Sequence, residues 1–151
     1  MKSLAIASIT FGLFALAPSA SPAAEKLVLI TAAEAALPSV PTGELSRRGV
    51  TRGPKVLLVS PVKASGQKSP LHLQFKFESF GGAKIDAKDV KVIYLKKPTV
   101  DLSDRVKPFT QGAGIDIAEA EMPPGDHTIR VDVKDSDGRA STALFTLNIL
   151  P

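Results

Sequence analysis

Three aspartates near the C-terminal end are the residues best suited to hold a metal ion. Asp132, Asp135 and Asp137 lie in one short segment that ends at Gly138. Carboxylate oxygens are the hard ligands that Ca²⁺ prefers, but the segment lacks the ligand spacing and the closing glutamate of an EF-hand. Aspartate and glycine also occur together in tight turns for reasons of backbone conformation alone. The pattern therefore predicts either a structural turn or a weak calcium site, and no other cofactor is expected.

Residue types needed for catalysis are sparse in this chain. It has two histidines, His72 and His127, and no cysteine. No Gly-x-Ser-x-Gly motif marks a nucleophilic serine, and Gly112-Ala113-Gly114 lacks the lysine of a phosphate-binding loop. Paired carboxylates can hydrolyse glycosides, but with no tryptophan and one tyrosine the chain offers little aromatic surface for stacking a sugar or a nucleic-acid base. Because the net charge of +4 is also small, we predict a protein that is not an enzyme and does not bind nucleic acid.

Clustered cations form a second candidate site. One group precedes the first predicted strand of the domain, and the other flanks a long loop from Lys96 to Gly114. If the N-terminal part folds toward that loop, the two groups form one basic patch for an acidic partner. The alternative is a set of unrelated, solvated charges that contribute little. The predicted partner-binding residues are Arg47, Arg48, Arg52, Lys96, Lys97, Arg105 and Lys107.

The N-terminus has the pattern of a secretory signal peptide. Lys2 provides a positive start, residues 4–16 are apolar and uncharged, and small residues follow, which predicts cleavage after Ala23. An uncleaved anchor is the alternative. A lipid-attachment cysteine is absent, and no later apolar run is long enough to span a bilayer. We expect a periplasmic or secreted bacterial protein, without an integral membrane segment after cleavage, whose partner is another envelope or secreted protein.

Hydrophobic alternation predicts the strands that position these candidates. Leu71, Leu73, Phe75 and Phe77 alternate with polar residues, as in a strand with one buried face. The segment from His127 to Leu150 contains two such runs around an Asp-Ser-Asp-Gly turn, which predicts a tight hairpin. Further short runs bring the total to about seven strands, as in an antiparallel β-sandwich.

The residues between the signal peptide and these strands have a different character. Thr31 and Glu34 match a capping box, which predicts a short helix that ends at Pro38. The remainder has the composition of a linker, so we predict a short helix or a disordered arm. The predicted organisation is a signal peptide at residues 1–23, an N-terminal arm at 24–53 and a β-sandwich domain at 54–151.

The run from Met122 to Val133, continued by Asp135-Ser136-Asp137-Gly138-Arg139, resembles the last two strands of bacterial secreted immunoglobulin-like domains. Gly53-Pro54-Lys55-Val56 and Ser60-Pro61 are similar to their first strand. The resemblance implies an immunoglobulin-like sandwich and an adhesive, structural or binding role, and it carries no catalytic residues. We therefore expect a non-enzymatic exported module for protein–protein interaction or for a structural role in the cell envelope. The alternatives are a weak Ca²⁺- or small-ligand-binding protein that uses the acidic hairpin turn, and an accessory domain of an envelope hydrolase.

Overall fold

The computed structural model describes residues 26–41 and 53–151, and this part of the chain folds mainly into β-strands. The predicted signal peptide and Arg47, Arg48 and Arg52 lie outside the described residues. In the described part, no helix has both the length and the apolar character needed to cross a membrane. The elements in chain order are β1 (Lys26–Val28), α1 (Ala32–Ala35), β2 (Lys55–Ser60), β3 (Leu71–Glu78), β4 (Ile85–Tyr94), β5 (Val100–Asp101), α2 (Ser103–Val106), a 3-10 turn (Lys107–Phe109), β6 (Thr110–Gln111), β7 (Gly114–Glu121), β8 (Gly125–Asp135) and β9 (Ala140–Ile149).

The strands form two sheets. The first sheet has the order β1-β7-β3-β2, with β6 also paired to β7, and the second has the order β5-β4-β8-β9. β1 runs parallel to β7, and the other paired strands of both sheets are antiparallel. The predicted all-β, largely antiparallel architecture is confirmed at this level.

One hydrophobic core lies between the two sheets. Along β3, the side chains of Leu71, Leu73, Phe75 and Phe77 are buried and the residues between them are exposed or half-buried, as their alternation predicts. In the second sheet, alternate residues of β8 are buried in the same cluster. The Phe75 ring from the first sheet lies 4.9 Å, centroid to centroid, from the Phe145 ring of the second. Burial of this apolar surface is the main term that holds the sheets together.

The β8–β9 hairpin forms as predicted. Its register is continuous from the Gly125–Ile149 pair to the Lys134–Ala140 pair. At the turn, one Asp135 carboxylate oxygen accepts hydrogen bonds from the main-chain N–H groups of Asp137 and Arg139, at 3.0 and 2.9 Å. Gly138 has a φ of +78°, a conformation that favours glycine. The aspartates of this turn therefore have a structural role.

Residues 26–41, which the sequence analysis placed in an N-terminal arm, pair with the first sheet and contribute to the core. β1 extends the first sheet, and Leu29 and Ile30 are each 1% exposed in the core. The capping box predicted for α1 is confirmed, since the Thr31 side chain accepts from the Glu34 N–H and the Glu34 carboxylate accepts from the Thr31 N–H. The Lys97 N–H donates to the Pro38 carbonyl at 2.8 Å. A helix this short is stable because it is docked.

Candidate interaction surface

The Glu34–Arg105 ion pair fastens the N-terminal segment to the connection between β5 and β6. The Arg105 guanidinium donates to both Glu34 carboxylate oxygens, at 2.6 and 2.8 Å, and to the Leu29 carbonyl at 2.9 Å. The hydrogen bonds from Arg105 are the main cause that lowers the pKa of Glu34 to about 2, against the opposing effect of burial. Arg105 therefore holds the fold together, whereas the sequence analysis assigned it to partner binding.

The other described cations predicted to bind a partner differ in their exposure to solvent. Lys96 is buried, its Nζ donates to the Ser39 hydroxyl at 3.1 Å, and it lies 5.4 Å from the centroid of the Tyr94 ring. Lys97 and Lys107 are exposed to solvent. Lys96, like Arg105, therefore attaches the N-terminal segment, and binding of an acidic partner by the remaining cations stays a prediction.

The three aspartates predicted to bind calcium are each paired with an arginine. Asp132 accepts from Arg130 Nε at 3.1 Å, and the buried Asp135 accepts from Arg139 Nε at 3.1 Å. Asp137 accepts from Arg139 Nη2. In residues 26–41 and 53–151, no group of three or more histidine, aspartate or glutamate side chains is placed to hold a metal ion. Calcium binding stays a prediction, and the geometry here is that of a hairpin held by ion pairs.

The two histidines lie apart and in different environments. His72 is exposed on β3, and its Nε2 lies 2.7 Å from an Asp116 carboxylate oxygen. His127 is buried, with Nε2 2.7 Å from the Pro123 carbonyl and Nδ1 2.9 Å from the Tyr94 hydroxyl. A carbonyl can only accept, so Nε2 carries the proton and the Tyr94 hydroxyl donates to Nδ1 in the neutral ring. Burial lowers the pKa of His127 and favours this neutral form, which leaves neither nitrogen free for a substrate.

Polar side chains on the outer face of the second sheet form hydrogen bonds across neighbouring strands. Lys91, Asp132 and Thr142 are neighbours across β4, β8 and β9, and the Thr142 hydroxyl donates to Asp132 at 2.7 Å. The Thr128 and Thr146 hydroxyls are 3.1 Å apart on the next part of this face. A shallow depression of about 480 Å³ opens beside Lys91 and Asp132. Side chains of this face are therefore linked to one another across neighbouring strands by hydrogen bonds.

The outer edge of β9 carries main-chain groups that the sandwich leaves unused. At its C-terminal end, the Asn148 N–H donates to the Ala64 carbonyl and the Asn148 carbonyl accepts from the Gln67 N–H. These bonds point away from β8, and alternate residues of an antiparallel strand direct their main-chain groups to the same side. Since the register with β8 is continuous, the outward main-chain groups are those of Thr142, Leu144 and Thr146. Within the described ranges, no main-chain hydrogen bond joins these outward groups to another segment.

The sequence predicted that a sheet edge, the Lys96–Gly114 loop or the basic arm could engage a partner, but it did not indicate which strand edge. Hydrophobic alternation reports which face of a strand is buried and not which edge is paired. The comparisons with known proteins add no assignment, since no family model, curated protein or solved structure matched the chain.

Proposed function

We propose that this chain is an exported, non-enzymatic immunoglobulin-like module that binds a protein partner in the cell envelope through the outer edge of β9. The observation that carries the proposal is the row of main-chain donors and acceptors at Thr142, Leu144 and Thr146 that pair with no other segment among the described residues. An exposed strand edge of this kind is a template on which an extended segment of a partner adds as a further strand. Main-chain hydrogen bonds supply the affinity, and neighbouring side chains supply the specificity.

The strand order supports the immunoglobulin-like part of the proposal. In the seven-stranded form of such domains, the first, second, fourth and fifth strands form one sheet, and the third, sixth and seventh form the other. Here β2, β3, β6 and β7 lie together in one sheet, and β4, β8 and β9 lie together in the second. If β2 corresponds to the first strand and β6 to the fourth, the two sheets follow this arrangement, with β1 and β5 as added edge strands. The pattern of residues 1–23 supports export.

The described side chains favour binding over catalysis. Both nitrogens of His127 are used in the core, and the aspartates of the hairpin are paired with arginines. On the outer face, the Arg130–Asp132 pair lies on β8 beside β9, where its charges can help to select a partner.

Site-specific photo-crosslinking in cells that export the chain tests this proposal. A photoreactive residue replaces Leu144 on β9, and the matched control replaces Leu57 on β2; the two side chains are 39% and 41% exposed. We expect a discrete crosslinked product from position 144 and none from position 57. No product at position 144, or the same product from both positions, would refute the role of β9. Fractionation tests export separately: the chain should accumulate outside the cytoplasm at the mass of residues 24–151.

A further inference from the structure

The edges of a sandwich differ in how well they are protected from further pairing, and β9 is the least protected of the described strands. β5 and β6 have two residues each and β1 has three, which is too short to pair extensively. β2 begins with Lys55 and contains a register shift between Leu58 and Ser60, two features that discourage pairing. β9 is ten residues long, regular and without a charged side chain.

Among residues 26–41 and 53–151, main-chain contacts to the outer edge of β9 occur at its two ends, and its middle makes no main-chain hydrogen bond there. Near its C-terminal end, Ala64 and Gln67 already pair with Asn148. At its N-terminal end, the Ala140 carbonyl lies so close to Gly53 that a Cβ on Gly53 would be 2.6 Å from it. The open stretch between these ends runs from Thr142 to Thr146 and is centred on Leu144.

We infer that the partner at this edge is a second copy of the chain, whose β9 pairs antiparallel with the first β9 about a two-fold axis at Leu144. In that register Leu144 faces its own copy, and Thr142 faces Thr146 of the other copy. These residues direct their main-chain groups outward, so each facing pair forms the two hydrogen bonds of an antiparallel ladder. The two four-stranded sheets become one continuous sheet, and the interface is the same on both subunits, as two-fold symmetry requires.

The side chains are compatible with this register on both faces of the sheet. On the outer face, threonine lies beside threonine, a pairing that Thr128 and Thr146 already make across β8 and β9. On the core-facing side, the small Ala143 faces the large Phe145 of the other copy, so two large rings do not collide. Arg130 and Asp132 lie on β8 and are separated from the axis by β9. Because β9 itself has no charged side chain, no like charges face each other within the β9 pair.

This inference rests on the proposed function, because it assigns a partner to the same edge. Its test is analytical ultracentrifugation of the protein, purified in the form that the cell accumulates, over a range of concentrations. We expect the mass to rise toward twice that of one chain. Leu144→Glu and Leu144→Lys should each be monomeric, because each places two like charges across the axis. An equimolar mixture of these two variants should regain the dimer, because opposite charges then face each other.

The mixture also serves as the test of folding, since a misfolded variant would not associate again. Leu57→Glu and Leu57→Lys are the matched controls and should dimerise like the unmodified chain. A chain that is monomeric at every concentration, or a dimer that only the Leu57 variants disrupt, would overturn the inference. If the chain is monomeric but position 144 crosslinks to a different envelope protein, the second copy is the wrong partner and the proposed function stands. If no crosslink forms at position 144 either, both proposals fail.

Discussion

Neutralising Glu34 tests the ion pair that attaches the N-terminal segment to the sandwich. In Glu34→Gln, the side chain keeps the oxygen that accepts from the Thr31 N–H, since glutamine serves in a capping box as glutamate does. What is lost is the charge opposite Arg105, whose guanidinium donates to both carboxylate oxygens. The substitution therefore removes the ion pair and keeps the helix cap.

The pKa of Glu34 sets the size and the pH dependence of the effect. A decrease from 4.5 to about 2 in the folded state is equivalent to about 3 kcal/mol of folding free energy. The Arg105 side chain is 34% exposed, so screening by solvent reduces this to about 1–2 kcal/mol. Because the folded-state pKa lies below the unfolded one, the stabilisation is fully present above about pH 5 and is lost as the pH falls toward 2.

Urea unfolding at a series of pH values measures this contribution. At pH 7 we expect Glu34→Gln to lower the free energy of unfolding by about 1–2 kcal/mol, and the difference from the unmodified chain should disappear near pH 2. Glu78→Gln is the control, because the Lys76–Glu78 pair is exposed and should contribute little. Equal stability of Glu34→Gln and the unmodified chain at pH 7, or a difference that does not shrink on acidification, would refute the reasoning.

Two further pairs of substitutions, each a test with its control, examine the close backbone contact at Gly114 and the hairpin turn. Gly114 and Gly125 both have positive φ, but a Cβ added at Gly114 would lie 2.0 Å from the Phe75 carbonyl oxygen, whereas one added at Gly125 would meet no atom within 4 Å. Thermal melts should therefore show a larger decrease in melting temperature for Gly114→Ala than for Gly125→Ala. Equal decreases would contradict this. Asp135→Asn removes the charge that pairs with Arg139 in a buried turn, and should cost about 1–3 kcal/mol in urea unfolding, whereas the exposed Asp137→Asn should cost less. A melting temperature that rises with millimolar Ca²⁺ only while Asp135 is intact would instead support the calcium site.

Local patterns in the sequence predicted much of the fold. The capping box of Thr31 and Glu34 depends on residues three positions apart, and the hairpin from His127 to Leu150 depends on alternation around a single turn. Both are decided by neighbours along the chain, so a single sequence contains the information. The alternation of β3 predicted its buried face for the same reason.

Long-range contacts could not be predicted in this way. Arg105 is 71 residues from Glu34, and nothing in the local pattern distinguishes an arginine that pairs internally from one that binds a partner. Lys96 is buried beside Ser39, 57 residues away, because its long side chain lies near the Tyr94 ring while its amine finds a hydroxyl. The unpaired edge of β9 depends on the order of strands in the sheet, which the sequence pattern does not specify.

Residue-resolved amide hydrogen exchange across β9 is the most direct test of the claim that this edge is the recognition surface. In dilute protein, the amides of Ala143, Phe145 and Leu147 should be protected by pairing with β8, and those of Thr142, Leu144 and Thr146 should exchange rapidly. Association should then slow exchange at the second set alone. Protection of Thr142, Leu144 and Thr146 already at high dilution, or no change in their exchange on association, would contradict the account.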